Sequence, residues 1–323
     1  MASWQAHVLD ALLRVTIKRQ LKNNTDIASV RATLGGGGVP VPKGVSFRAG
    51  VVGDVQGEWA SADATSEGAP TLLYLHGGGY FACSPQTHRP LTGWFAKAGF
   101  SVFAPDYRLA PEHPFPAAVE DAEAAYLGLL GAGHAARNLV VAGDSAGGGL
   151  AVALLVKLRD GGHELPAGGA LFSPWTDLAV TGDSARENVR KDAMFWAPGI
   201  SVGAAFYLDG ADPRTPLASP LYADLRGLPP LLIQAGEREL LRDDSTRLAA
   251  RTGAALRIWP VVPHVWQIMH GFVPEGRESL TLAAEFLTGK VKEGQGALPP
   301  APPLGTSPQT PFICSEAVAA SVR

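Results

Sequence analysis

The residues best suited to chemistry lie in the run 143–147, which reads Gly-Asp-Ser-Ala-Gly. It follows the β-branched stretch 138–142, which predicts a buried strand, and it precedes the apolar stretch 150–158, which predicts a helix. A serine in the pattern Gly-x-Ser-x-Gly between a strand and a helix is typical of a nucleophile on a tight turn, where side chains in place of the glycines would collide with backbone. The helix start also favours negative charge. We therefore expect Ser145 to be a nucleophile.

A serine hydroxyl needs a base to take its proton, usually a histidine that a carboxylate orients. On a parallel sheet of this kind the three residues follow in the order serine, acid, histidine. Only His264 and His270 come after the last strand that could carry the acid. His264 closely follows the strand-like stretch 255–259, whereas His270 lies in what looks like the next helix. We expect His264 to be the base.

The orienting acid should come just after the apolar strand 231–235. The candidates are Glu237, Glu239, Asp243 and Asp244. The two aspartates precede a helical run, which favours a role as N-cap or first-turn acids. Glu239 lies on the loop between strand and helix, and the sequence favours it without excluding the others.

A third requirement is a group that stabilises the negative charge of a tetrahedral acyl-transfer intermediate. The run Gly77-Gly78-Gly79 directly follows the apolar strand 71–75 and can present backbone N–H groups without obstructing side chains. We expect Gly77 and Gly78, together with Ala146 beside the nucleophile, to form this oxyanion hole. The alternative of a phosphate-binding loop is weak, because the run lacks the Gly-Lys-Ser/Thr ending of such loops.

These residues need a scaffold, and the chain predicts one by alternating short apolar strands with helices. This alternation is typical of a mostly parallel sheet covered by helices on both faces, an α/β fold. The stretches 45–52 and 55–60 predict a hairpin before the first buried strand. We place the main domain at 43–290 and, because the chain then becomes rich in Gly, Pro and Ala, a disordered tail at 291–323.

The segment at about 180–220 interrupts this alternation, and we interpret it as a helical insertion over the carboxyl ends of the strands, where such sheets bind ligands. Its aromatic residues could line an apolar acyl pocket or merely pack the insertion. The candidate pocket residues, with one more after the glycine run, are Tyr80, Phe195, Trp196, Phe206 and Tyr207.

The N-terminal segment 1–42 begins with a helical pattern over 4–21 and ends in Gly- and Pro-rich residues. Its apolar stripe is followed by Lys18, Arg19 and Lys22. One interpretation is an amphipathic helix on a membrane surface. We favour a helix packed on its own protein, because the basic residues are few and terminal.

Composition excludes several classes of function. The formal net charge of -3 and the lack of a Lys/Arg stripe argue against nucleic-acid binding. No apolar stretch is long enough for a membrane span, no signal peptide is evident, and two cysteines make no disulfide framework. We expect a cytoplasmic protein. No set of side chains has metal-ligand spacing, so we predict no metal and no cofactor.

Several longer motifs resemble one family. The runs 76–80 (His-Gly-Gly-Gly-Tyr), 106–118 (Asp-Tyr-Arg-Leu-Ala-Pro-Glu-His-Pro-Phe-Pro-Ala-Ala) and 143–148 (Gly-Asp-Ser-Ala-Gly-Gly) resemble the hormone-sensitive-lipase-like branch of the α/β-hydrolases, the bacterial family IV esterases. The runs 173–175 and 263–267 are similar to later landmarks of that family. The likeness covers roughly residues 1–290.

The resemblance implies an α/β-hydrolase fold with a helical cap formed by 1–42 and the insertion. It also implies a serine carboxylesterase that uses Ser145 and His264, with Glu239 where many members carry Asp. A compact acyl pocket implies short- to medium-chain ester substrates. Edge-strand homodimers are common in the family. Alternatives are a lactone or aryl-amide hydrolase on the same site, or a non-catalytic small-molecule binder, which the presence of His264 disfavours.

Overall fold

The computed structural model describes residues 2–23, 26–35, 39–63, 65–66 and 68–296. Within these ranges eight strands form a single sheet. The strands are β1 (Val45–Val52), β2 (Val55–Ala62), β3 (Thr71–Leu75), β4 (Ser101–Pro105), β5 (Leu139–Asp144), β6 (Gly169–Phe172), β7 (Leu231–Gly236) and β8 (Ala255–Trp259). Their order is β1-β2-β4-β3-β5-β6-β7-β8, with β1, β2 and β4 paired antiparallel and all other neighbours parallel. The predicted hairpin and mostly parallel sheet are confirmed.

Helices lie on both sides of this sheet. They are α1 (Trp4–Val15), α2 (Ile17–Asn23), α3 (Ile27–Gly35), α4 (Arg89–Lys97), α5 (Ala117–Gly131), α6 (Ser145–Asp160), α7 (Ser184–Glu187), α8 (Ala197–Leu208), α9 (Arg242–Thr252) and α10 (Pro274–Gly296). Helices α5 and α6 contribute to the core on one face, and α4 and α10 to the core on the other.

Strand β3 shows why the sheet needs both layers. All five of its residues are buried, and successive side chains enter opposite cores: Leu73 and Leu75 join the layer of α6, while Leu72 and Tyr74 join that of α4 and α10. Alternation of this kind follows from the two-residue period of a strand. The wholly apolar sequence of β3 therefore marks it as an interior strand.

Helix α6 begins earlier than its sequence predicts. Glycine disfavours helix interiors, so the sequence placed the helix start at about Leu150. The helix instead starts at Ser145, and its first turn contains glycines because it packs too closely for side chains. An added Cβ at Gly148 would lie 2.9 Å from the Pro174 side chain, and one at Gly149 would lie 2.0 Å from the Trp175 carbonyl oxygen.

Two other boundaries also need correction. The tail was expected from Val291, but α10 continues to Gly296 and buries Val291 against the sheet core. The remaining tail, 297–323, lies outside the described residues. The single helix expected over 4–21 is divided at Thr16 into α1 and α2. Of the glycine run that follows, residues 36–38 also lie outside the described part.

The N-terminal helices and the insertion border one cavity at the carboxyl ends of the strands. Leu9 and Leu13 of α1, Val30 of α3 and Ile200 of α8 line this cavity together with Ser145, which directly follows β5. Helix α1 is fixed in place by apolar contacts with the chain after β8. The insertion is thus a wall of the site, as its position in the sequence predicts.

Candidate active site

Ser145 occupies the sharp turn that joins β5 to α6. Its backbone has a φ of +52°, in the left-handed region that ordinary residues rarely adopt. Two glycines make the turn possible: an added Cβ at Gly147 would lie 2.1 Å from the Leu75 carbonyl oxygen, and one at Gly143 would lie 2.4 Å from the Gly147 carbonyl oxygen. The turn leaves Ser145 lining the cavity with 8% of its surface exposed.

The glycine loop after β3 supplies backbone N–H groups next to Ser145, but not in the predicted way. The Gly77 N–H donates to the Asp144 carboxylate at 3.2 Å, so the expectation that Gly77 serves the oxyanion hole is wrong. Gly78 and Gly79 line the cavity instead, and both have positive φ values, +116° and +65°. Within the described chain the N–H groups of Gly78, Gly79 and Ala146 have no hydrogen-bond partner. The available donors are therefore these three.

Asp144 fixes the glycine loop from beneath. Its buried carboxylate accepts hydrogen bonds from the Tyr74 hydroxyl at 2.8 Å and from the Gly77 N–H, and it lies 3.3 Å from Nε2 of His88. Burial raises the pKa of Asp144, but the His88 charge and the hydrogen bonds outweigh it, and the net pKa is lowered. An ionised carboxylate thus ties the loop after β3 to the nucleophile turn. No local sequence pattern indicates this role of Asp144.

His76, at the head of the glycine run, has no part in proton transfer. Burial lowers its pKa to about 3, so the ring is neutral. It stacks on Tyr107 with ring centroids 4.2 Å apart, and the Tyr107 hydroxyl donates to the His76 carbonyl at 2.7 Å. These contacts hold the start of the loop against the core.

His264 and Glu239 form a buried pair on the loops after β8 and β7. Nδ1 of His264 lies 2.7 Å from Oε2 of Glu239. The other carboxylate oxygen, Oε1, accepts hydrogen bonds from the Ser173 hydroxyl at 2.8 Å and from the Gly236 N–H. Nε2 of His264 has no hydrogen-bond partner among the described residues. His264 and Ser145 line the same cavity, so this nitrogen is available as a base.

The other acid and base candidates have structural contacts. Asp243 accepts the Ser184 N–H at 2.8 Å, and Asp244 accepts the N–H groups of Thr176 and Asp177. Glu237 is exposed to solvent. Nε2 of His270 lies 3.1 Å from the Pro90 carbonyl oxygen, outside the cavity. Of the pairs considered from the sequence, the structure brings together Glu239 and His264.

The environment of His264 favours its charged form. Burial alone would lower the pKa of His264, but the neighbouring Glu239 carboxylate raises it more, with smaller contributions from Asp192 and Asp144. The net pKa lies above that of an ordinary histidine. The imidazolium formed after proton transfer would therefore be stabilised in place.

The insertion holds this acid–base pair through Asp192. Its carboxylate is buried and accepts three backbone N–H groups, from Leu240 at 2.8 Å and from Met194 and Phe195 at 2.7 Å each. Leu240 adjoins Glu239, and the Phe195 ring packs edge-on against His264 at a centroid distance of 4.8 Å. The Asp192 carboxylate thus positions Leu240, which adjoins Glu239, and Phe195, which packs against His264.

Asn188 and the helices α1 and α2 reinforce this link. The Asn188 amide donates to the carbonyl oxygens of Glu237 at 3.0 Å and Glu239 at 2.9 Å. From the other side, Arg14 and Lys18 donate to carbonyl oxygens of the turn 189–192. No local sequence pattern indicates these roles of Asn188 and Asp192, because their partners in the loop after β7 are 48 to 51 positions away along the chain.

The cavity has a volume of about 510 Å³ and is lined mainly by apolar side chains. Phe195, Trp196 and Phe206 line it, as the sequence predicts. Tyr80 and Tyr207 do not: they stack on each other with ring centroids 3.8 Å apart, and both are fully buried behind the cavity wall. The expectation that these two tyrosines line the pocket is therefore wrong.

Known proteins with this sequence pattern are numerous. The α/β hydrolase fold family matches residues 72–273. An acetyl-hydrolase of Streptomyces hygroscopicus is 45% identical over 274 residues, which cover 83% of this chain and 90% of that protein. An esterase of Acinetobacter venetianus is 33% identical, with 88% and 96% covered. The chain belongs to the α/β-hydrolase family.

Similar solved structures indicate to which branch of the family this hydrolase belongs. EstE5, in a crystal soaked with ethyl alcohol, has a TM-score of 0.86 and 39% identity, covering 90% of this chain and all of that one. An esterase of the bacterial hormone-sensitive lipase family has a TM-score of 0.82 and 40% identity, covering 90% and 99%. The hydrolase is thus a hormone-sensitive-lipase-like carboxylic ester hydrolase.

Two other features, a metal site and a membrane-spanning helix, have no counterpart among the described residues. Within that part of the hydrolase, no cluster of three or more His, Cys, Asp or Glu side chains has the arrangement of a metal site. No helix among the same residues combines the length and apolar character needed to cross a membrane.

Proposed function

We propose that this esterase hydrolyses short- to medium-chain acyl esters with Ser145 as nucleophile, His264 as general base and Glu239 as the acid that orients it. The observation that carries this proposal is the buried Glu239–His264 pair, 2.7 Å apart, on the same cavity as a serine held in a left-handed turn. Each of the three follows the carboxyl end of a different strand of the sheet, where α/β folds gather functional side chains.

In the first half of the reaction Nε2 of His264 takes the Ser145 proton while Oγ attacks the ester carbonyl carbon. The N–H groups of Gly78, Gly79 and Ala146 would bind the oxyanion that forms. The imidazolium, stabilised by Glu239, then gives its proton to the leaving alcohol as the carbon–oxygen bond breaks, and an acyl-enzyme remains.

In the second half water replaces the alcohol. His264 takes a proton from the water, whose oxygen attacks the acyl carbon, and the proton then passes to Ser145 as the carboxylic acid leaves. No hydrogen bond joins Ser145 to His264 in the described part of the chain. Such contacts are often long before substrate binds and tighten in the reacting complex.

The cavity supports the proposed chain length. Its volume of about 510 Å³ falls within the range of pockets for one small organic ligand, and aromatic side chains from the insertion form part of its wall. We expect kcat/KM to peak at p-nitrophenyl butyrate to octanoate and to fall at least tenfold for the palmitate. A maximum at palmitate would contradict the chain-length part of the proposal.

The catalytic part is tested by Ser145→Ala, with Ser46→Ala at an exposed serine of β1 as the matched control. We expect Ser145→Ala to lower kcat on p-nitrophenyl butyrate by about 10⁴-fold or more without changing Tm, and the control to retain full activity. An organophosphate should label the wild type at Ser145 alone. Retained activity in Ser145→Ala, or labelling at another residue, would refute the mechanism.

A further inference from the structure

Helix α1 has apolar side chains on its outer face as well as on its inner face. On the inner face Ala6 and Leu9 are buried against the chain after β8. On the outer face Trp4, Val8, Leu12 and Val15 are 66%, 48%, 52% and 65% exposed. Their spacing of four, four and three residues places them on one stripe, where the surface helix of a globular protein normally carries polar residues.

An aromatic residue outside the helix extends this stripe. Phe272 is 41% exposed, and its ring meets that of Trp4 edge-to-face at a centroid distance of 6.0 Å. We call these five residues, Trp4, Val8, Leu12, Val15 and Phe272, the α1 patch. Large exposed side chains concentrated at one place, rather than scattered singly, mark an interaction surface.

The charge next to the α1 patch indicates what it contacts. Residues 2–23 contain four basic side chains, Arg14, Lys18, Arg19 and Lys22, and one acidic side chain, Asp10, in a chain whose formal net charge is -3. Asp10 is paired with Arg14. Arg19 and Lys22, on α2, are exposed. The segment that carries most of the patch is therefore positively charged, in a protein whose net charge is negative.

We infer that the α1 patch docks on an anionic lipid surface, with α1 lying at the boundary between headgroups and acyl chains. A tryptophan and aliphatic side chains on one face, flanked by basic residues, are the features of interfacial helices. A second copy of this chain fits less well, because a symmetric interface would bring two positive α1–α2 segments together.

The position of α1 gives this docking a consequence. Leu9 and Leu13 of the same helix line the cavity that contains Ser145, while the α1 patch does not line it. Helix α1, which forms part of the cavity wall, would thus lie on the lipid surface, where apolar esters accumulate. The inference goes beyond the proposed hydrolysis and does not depend on it.

The test measures flotation of the full chain with vesicles. Wild type should float with vesicles containing phosphatidylglycerol and remain unbound with pure phosphatidylcholine. Trp4→Gln/Val8→Ser/Leu12→Gln should weaken partitioning by roughly a hundredfold, because the lost apolar burial drives insertion. The matched control is Val51→Ser/Leu256→Gln, which changes exposed apolar residues on β1 and β8 and should bind as wild type does.

A second pair of variants tests the charge. Arg19→Gln/Lys22→Gln should lower binding to anionic vesicles by about fivefold per charge, and added salt should weaken wild-type binding in the same way. Arg48→Gln/Lys97→Gln removes two exposed basic residues elsewhere and should have little effect. All variants should keep wild-type Tm and wild-type activity on dissolved p-nitrophenyl butyrate.

Three results would overturn the inference. They are failure of wild type to bind anionic vesicles, equal binding to phosphatidylcholine, and unchanged binding by the triple variant. A concentration-dependent dimer in ultracentrifugation that the triple variant abolishes would assign the patch to a second copy instead. Because flotation requires no turnover, failure of the proposed catalytic mechanism would leave this result interpretable.

Discussion

The two halves of the candidate site are built by different means. The nucleophile half consists of Ser145, Asp144 and the glycine loop 77–79, and steric limits on backbone shape it. The acid–base half consists of Glu239 and His264, and side chains from the insertion hold it, above all Asp192 and Asn188. The first half depends on neighbouring strands, and the second depends on contacts between distant parts of the chain.

This difference shows which changes each half tolerates. In the nucleophile half a single added methyl group meets backbone, since the Cβ of an alanine at Gly147 would lie 2.1 Å from the Leu75 carbonyl oxygen. The acid–base half relies on a few buried hydrogen bonds made by carboxylates and an amide. We therefore expect small steric changes to damage the first half and changes of charge to damage the second.

Among three variants that leave Ser145 in place, the largest effect is expected from the loss of the negative charge of Glu239. Glu239→Gln keeps the volume and one acceptor for Ser173, yet it removes the charge that stabilises the imidazolium. We expect kcat on p-nitrophenyl butyrate to fall about 10³- to 10⁴-fold. Glu237→Gln, two residues away and exposed, is the control and should be near wild type. Activity of Glu239→Gln within tenfold of wild type would exclude Glu239 as the orienting acid.

A smaller effect is expected from a methyl group in the glycine loop. In Gly77→Ala the new Cβ would lie 2.1 Å from Oδ2 of Asp144, so the loop must shift. Its N–H groups would then no longer point at the position of the oxyanion. We expect kcat to fall roughly a hundredfold with little change in KM, because the oxyanion exists only after attack.

The control for this variant is Gly131→Ala, at the end of α5. An added Cβ there meets nothing within 4 Å, and both kcat and Tm should match or exceed wild type. A Gly77→Ala protein with wild-type Tm and wild-type kcat would show that the loop does not hold the oxyanion.

The smallest of the three effects concerns Asp192. Asp192→Asn keeps the shape but removes a negative charge that raises the pKa of His264. Since His264 must be neutral to accept a proton, activity is lost as pH falls through its pKa. In the variant this loss should move to lower pH, and kcat at neutral pH should fall about tenfold because Glu239 and His264 are held less firmly.

The readout is kcat/KM as a function of pH. Asp243→Asn serves as control, because Asp243 also accepts a backbone N–H of the insertion, from Ser184, and is not among the main charges that raise the pKa of His264. In this control the fall of kcat/KM at acidic pH should occur at the same pH as in wild type. If the fall of kcat/KM at acidic pH occurs at the wild-type pH in Asp192→Asn as well, Asp192 has only a structural role.

The same contrast explains what the sequence could predict. The strands, the hairpin and the strand-to-helix turn at Ser145 depend on local pattern, and the structure confirms them. The role of Ser145 as nucleophile stays a prediction. The run Gly77-Gly78-Gly79 predicted a loop of backbone N–H donors. It did not predict which of these N–H groups are free, because that depends on the hydrogen bond from the Gly77 N–H to the Asp144 carboxylate. Its place on the loop favoured Glu239 among four acids, and the family resemblance implied the same residue.

Other errors come from packing that no local pattern records. Tyr80 follows the glycine loop but turns into the core, where Tyr207 stacks on it. The early start of α6 has the same origin, since glycine is a poor helix former yet is required where Trp175 and Pro174 approach. Asn188 and Asp192 resemble ordinary polar residues of a long connection until the fold brings them to the loop after β7.

The contacts made by Asn188 and Asp192 share one property: every partner in the loop after β7 and in the insertion is a main-chain group. Any residue with a free amide can supply such a group. The side chain at Met194, which lines the cavity, is therefore open to replacement over evolutionary time while its hydrogen bond to Asp192 persists. A lineage can in this way remodel which molecules enter the cavity without rebuilding the support of its imidazole.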